Sequence, residues 1–145
     1  MLRGNYPATV DGKGRVKVPS AFVAELRETG DEFYVTSENG DHVRVYPMRV
    51  WNEIEEKLAR LSSHNQTKQK FLMRTSYFGQ AVKLDAQGRL LIPPVLRDTA
   101  DMKGEVDVLG RLNYLEVWNH HRFMDSMKSN PITQDDWKIL DDLGI

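Results

Sequence analysis

The sequence contains no cysteine, which excludes disulfides, thiolate zinc sites and cysteine nucleophiles. No apolar run approaches the ~18 residues of a membrane span. The opening stretch, MLRGNYPATVDGKG, lacks the basic-then-apolar order of a secretory signal. There is no phosphate-cradling glycine loop, since GKG is too short and lacks the G-K-[ST] ending, and there is no H-E-x-x-H pair. Of the histidines, His42, His64, His120 and His121, only the last two are adjacent. On a helix they would point about 100° apart, a poor chelate. The Asp pairs at 135/136 and 141/142 have no base, nucleophile or pocket motif beside them and read as a solvated acidic tail. The expectation is a cytoplasmic non-enzyme with no metal, no cofactor, no membrane partner and no small-molecule substrate.

What is present is an ordinary globular composition: 145 residues, 40% apolar and 28% charged, enough for one compact domain. The net charge of −1 gives no hint of a polyanion partner, but the charges are unevenly placed. Residues 1–20 carry four cations (Arg3, Lys13, Arg15, Lys17) against Asp11 alone. Residues 62–84 carry four more and no acid, whereas residues 125–145 hold five Asp against two Lys. A chain neutral in sum can still present a basic face.

One pattern occurs twice. DGKGRVKVP, residues 11–19, aligns with DAQGRLLIP, residues 85–93, at an offset of 74. Asp, Gly, Arg and Pro are identical, and the apolar positions match. VRVYPMRVW, from Val43, resembles LEVWNHHRF, from Leu115, at an offset of 72. Two matches in one order at nearly one offset indicate an internal duplication. Each copy reads as strand, turn, strand, short helix, hairpin, helix. The strand alternation, the prolines ending the strands, and the Asn39-Gly40 hairpin signal support that order. Phe22 and Leu26 share a helical stripe, and Trp51, Ile54, Leu58 and Leu61 define another. Trp51 and Trp118 are expected in the core. The stretch NQTKQKFLMRTSYFG reads as a connecting helix, and the tail as one more helix or a mobile segment.

The fold expected is α+β and β-rich. The first repeat is placed at 1–62, a connecting helix at 63–79, the second repeat at 80–128 and an acidic tail at 129–145. One copy alone would struggle to bury enough apolar surface. Two copies closing a shared barrel, with pseudo-twofold symmetry, solve that problem.

In the turns, Gly14 and Gly88 permit backbone angles closed to other residues. Asp11 and Asp85 stand four residues before Arg15 and Arg89, close enough to accept backbone N–H bonds or to clamp the arginine. Two readings stand. Asp and Arg serve only to fix a hairpin, or they present an arginine fork to phosphate or guanine. Lys13 and Lys17 favour the second reading in the first copy. Gln87 and Leu91 replace them in the second, where support of the fold is the simpler role.

The paired D-x-x-G-R turns, the opening MLRGNY and the segment GRLLIPPVLRDTA resemble the MraZ family, bacterial transcriptional regulators of the division and cell-wall gene cluster. The resemblance covers residues 1–127. It implies a double swapped-hairpin barrel of the AbrB type, assembly into a ring, association with the nucleoid and binding of double-stranded promoter DNA through the turns. On that basis Arg15 is expected to read a guanine edge, with Lys13, Lys17 and Arg3 on phosphates. Asp11, Gly14, Asp85, Gly88 and Arg89 are expected to support the motif, and a ring would favour direct repeats. The alternative is a protein-interaction or antitoxin-like module with no DNA readout.

Overall fold

Apolar and polar residues alternate on either side of each motif glycine, so each copy forms a strand, a tight turn and a second strand. A computed structural model describes residues 1–145. The first copy runs β1 (Leu2–Val10), β2 (Arg15–Lys17), α1 (Ser20–Arg27), β3 (Glu32–Thr36), β4 (Val43–Pro47) and α2 (Met48–Ala59). Helix α3 (Gln66–Tyr77) leads to the second: β5 (Gln80–Lys83), β6 (Arg89–Leu91), α4 (Pro94–Thr99), β7 (Gly104–Leu112), β8 (Leu115–Asn119) and α5 (His120–Ser129). Helix α6 (Gln134–Asp142) follows. Pro19 and Pro93 stand at the same place before α1 and α4, where a missing N–H costs nothing. No helix is long and apolar enough to cross a membrane.

The eight strands form one antiparallel sheet in the order β5-β3-β4-β8-β7-β1-β2-β6. The two ends, β5 and β6, are joined through the turn at Asp85, so the sheet curls into a nearly closed barrel. Exchanging the copies maps this order onto itself, which is the pseudo-twofold symmetry expected from the duplication. Four of the strand pairs cross between copies: β1 with β7, β2 with β6, β3 with β5 and β4 with β8. Strand β1 is longer than its sequence pattern suggests. It starts at Leu2 and pairs with β7 over nine residues, a partner no local pattern reveals.

The barrel interior holds a cluster of 20 buried apolar residues drawn from both copies. Val16 faces Leu90 at the β2–β6 seam, and Phe22 and Leu26 of α1 are buried in the same core as their stripe predicts. A second cluster lies outside the sheet. Trp51 of α2 stacks on Tyr34 at 4.5 Å, and Phe71 of α3 packs against it. The hydroxyls of Tyr34 and Thr36 both donate to the carbonyl of Thr75, at 2.9 and 2.8 Å, and tie α3 to β3.

Two expectations need correction. Helix α2 ends at Ala59, so Leu61 falls beyond it and is 43% exposed. Trp118 is outside the core. It stands half-buried on the outer face, stacked on His42 at 4.2 Å, because even positions of β8 point outward. There its indole N–H donates to Glu116 at 3.0 Å. Glu116 is 3% exposed and faces Arg44 across the β4–β8 pair, with Arg111 at 3.1 Å. Burial opposes its charge, but the His42 ring, the Trp118 indole and the Arg111 guanidinium hold its pKa at about 2.

A lowered carboxyl pKa stabilises the folded state above the ordinary value of 4.5, and that contribution is lost as pH falls through about 2. Glu116→Gln should therefore lower stability at pH 7 by about 2 kcal/mol. That is less than a fully buried pair would lose, because Arg44 and Arg111 are partly exposed. Thermal unfolding from pH 7 to pH 2 should show the two proteins converging at the acid end. A constant difference would place the effect in packing rather than charge.

Candidate nucleic-acid interface

The two motif turns have one geometry. In the first, Asp11 Oδ1 accepts the backbone N–H groups of Lys13 and Arg15 at 2.9 and 3.0 Å. Its Oδ2 accepts Arg15 Nε at 2.8 Å. In the second, Asp85 Oδ1 accepts from Gln87 and Arg89, both at 2.9 Å, and Oδ2 accepts Arg89 Nε at 2.9 Å. Each turn closes through the glycine N–H, Gly14 to the Asp11 carbonyl and Gly88 to that of Asp85, at 3.0 Å. The glycines sit at φ +82° and +76°, left-handed angles that a side chain disfavours.

The clamp uses only Nε of each arginine. No Nη group bonds to the aspartate, so the clamp that fixes each hairpin leaves the terminal nitrogens of its arginine uncommitted to it. The backbone N–H and guanidinium of Arg15, with the N–H of Lys13, hold Asp11 at a pKa of about 2 against partial desolvation. The equivalent contacts from Arg89 lower Asp85.

The β2–β6 pairing turns two motifs into one surface. Arg15 lies opposite Leu91, and Lys17 lies opposite Arg89. Their inward neighbours, Val16 and Leu90, are buried, so Arg15, Lys17 and Arg89 share the outward face of a two-stranded ribbon. Lys13 extends that face at the exposed tip of the first turn. Arg89 is thus brought into the same strip as Arg15. Arg3 is not. It sits near the start of β1 opposite Arg111, eight residues from Asp11. At about 3.3 Å per residue the separation is about 26 Å.

Two cations missed in the sequence reading brace the turns from the opposite copy. Arg97 of α4 lies over Gly14, where an added Cβ would come within 1.9 Å of its Nε. That Nε donates to the Ile92 carbonyl at 2.9 Å. Val23 of α1 holds the equivalent place over Gly88, 3.6 Å from where a Cβ would stand. Arg27 donates from Nη2 to the Asp85 carbonyl at 3.0 Å. The signal for Arg97 was available: extending the repeat alignment past the prolines sets it against Val23 at the same offset of 74.

Because the Asp11 pKa is lowered, the clamp stabilises the turn above the ordinary value of 3.8 and is lost as pH falls through about 2. The amide resonances of Lys13 and Arg15, followed by NMR on acidification, should titrate with a midpoint of about 2. A midpoint at the ordinary carboxylate value would mean that the clamp is not formed in solution.

The chain matches the family model described as "MraZ protein, putative antitoxin-like" over residues 1–74 and 79–140. It is 48% identical to the transcriptional regulator MraZ of Koribacter versatilis over 147 residues, and 44% identical to that of Acidobacterium capsulatum over 146, with all of each chain covered. The relative from Halothermothrix orenii is 32% identical, again over both full lengths. With matches across both repeats and these identities over the full chain, the protein belongs to the MraZ family.

Proposed function

We propose that the protein is a sequence-specific DNA-binding regulator of transcription, acting in the nucleoid on the promoter of the division and cell-wall gene cluster. The observation that carries this reading is the outward strip of Arg15, Lys17 and Arg89, with two arginine forks held by aspartate clamps. A pre-oriented guanidinium loses little freedom on binding and can meet guanine O6 and N7 with two parallel bonds. Arg15 takes the base-reading role. Lys13 and Lys17 hold phosphates, and Arg97 adds charge behind the first turn. Arg89 contributes to the same strip, on a turn whose tip is the neutral Gln87. Arg3, at the far end of β1, belongs to a different surface.

One strip carries too few cations to hold DNA tightly by itself. Several copies in a ring would present several strips, and linked contacts raise avidity by a factor of about 10²–10⁴. Neighbours in a cyclic ring are related by rotation about one axis, so their strips meet DNA with one polarity. Direct repeats spaced near one helical turn are the site this geometry fits.

Arg15→Ala should lose about 1–3 kcal/mol of specific binding per repeat without loss of fold. Arg3→Ala should stay close to wild type. Fluorescence-anisotropy titrations at one salt concentration measure both. Unchanged affinity for Arg15→Ala would remove the base-reading role.

Three duplexes test the assembly: direct repeats, one repeat inverted, and a half-turn insertion of roughly 5 bp. The last two should fall towards single-repeat affinity. Equal binding to all three would rule out a ring of like-oriented turns. Salt dependence separates the antitoxin-like alternative. Binding through phosphates falls by about 0.9 log units per contact for each log unit of salt, whereas capture of a partner protein through an apolar patch does not.

A further inference from the structure

Helix α6 is well formed, but apart from the half-buried Leu140 its apolar side is exposed. Thr133 and Asp136 close a reciprocal capping box at its start, and none of its residues is buried. Trp137, Ile139 and Leu143 are 48%, 62% and 70% exposed. At 100° per residue these three fall with Leu140 on one half of the helix, which also holds the capping-box Asp136, while Asp135, Asp141 and Asp142 fall with Lys138 on the other. The only cation on the helix is Lys138.

An apolar groove lies elsewhere in the same chain. Ile54 and Leu58 of α2, Leu61 beyond it, and Phe71 of α3 form its walls. Lys57 and Lys68 stand at its rim, and the glutamates of α2 do not line it. We propose that this α2–α3 groove receives α6 of a second copy of the chain. Apolar walls meet the Trp137 face, and the two lysines meet the aspartates. The proposal rests on the reading of the protein as a homo-oligomer and names the contact that builds it.

The connectivity favours a second copy over the chain's own tail. Strands β4 and β8 are antiparallel, so α2 and α5 leave that pair from opposite ends. Only four residues, 130–133, link α5 to α6. Fully extended they span about 14 Å. Groove and helix are also different surfaces of the chain, so docking is head to tail. A contact of that kind generates a ring when its rotation closes, and it sets every strip around the ring with the same polarity.

The absence of cysteine provides a direct test in the full-length protein. Leu61→Cys marks the groove and Ile139→Cys marks α6; both positions are exposed. Co-expressed as two differently tagged chains and mildly oxidised, the single variants should yield a disulfide between chains. The double variant should yield a ladder of linked chains. Trp137→Asp should lower the mass in solution by light scattering. A disulfide formed only within one chain, or no disulfide, would overturn the docking. So would an unchanged mass for Trp137→Asp.

Operator binding by the wild type is measured alongside. An oligomer that binds operator but gives no disulfide between chains removes this contact and leaves the DNA reading intact. A disulfide-linked oligomer without operator affinity supports the contact and removes the DNA reading.

Discussion

Val18 donates its backbone N–H to the carbonyl of Gly88, and Ile92 donates in return to Gly14, at 2.8 and 2.9 Å. This reciprocal pair holds the two motifs edge to edge, and much of the molecule depends on it. It continues the three-residue β2–β6 ladder into the turns and so completes the seam of the barrel. It also sets the inward pair Val16 and Leu90 face to face in the core. Each strand here is too short to be stable alone. The seam exists because both edges are offered at once, and the barrel removes the unpaired edges that an open four-stranded half would expose.

The same seam explains why a clamp that looks purely structural can face a ligand. An aspartate that accepts two backbone N–H groups and one Nε has made the turn rigid, and the arginine it holds has lost one donor of five. The remaining donors lie on the surface side of a ribbon whose other side is dry. Rigidity and presentation come from a single set of contacts. Glu116 contrasts with this. It too is held ionised by donors, but it is buried against Trp118, His42 and Arg44 on the β4–β8 pairing.

Much of this was legible in the sequence, for a physical reason in each case. The duplication, the hairpins, and the Phe22/Leu26 stripe are written in local periodicity, and their elements form where that periodicity places them. Asp11 and Arg15 are four residues apart, so their contact is local as well. What stayed hidden depends on pairing between distant strands. The length of β1 comes from β7, and the meeting of Lys17 with Arg89 comes from β6. The separation of Arg3 from the turn follows from that same long strand. Trp118 was misplaced because an aromatic residue in a strand reads as core until the facing of its strand is known. The family resemblance carried the architecture further than composition could, but it said nothing of Arg97 over Gly14.

That last contact has a wider meaning. Each turn rests on a residue from the opposite repeat, Val23 on one and Arg97 on the other. If the barrel were made from two identical chains, any residue chosen to support one turn would appear under both. Joining the halves in a single polypeptide, through α3, removes that obligation. The two loops keep a common backbone shape while their surroundings vary independently, with Arg97 over the first glycine and Val23 over the second. The covalent link thus lets a symmetric scaffold hold an asymmetric surface.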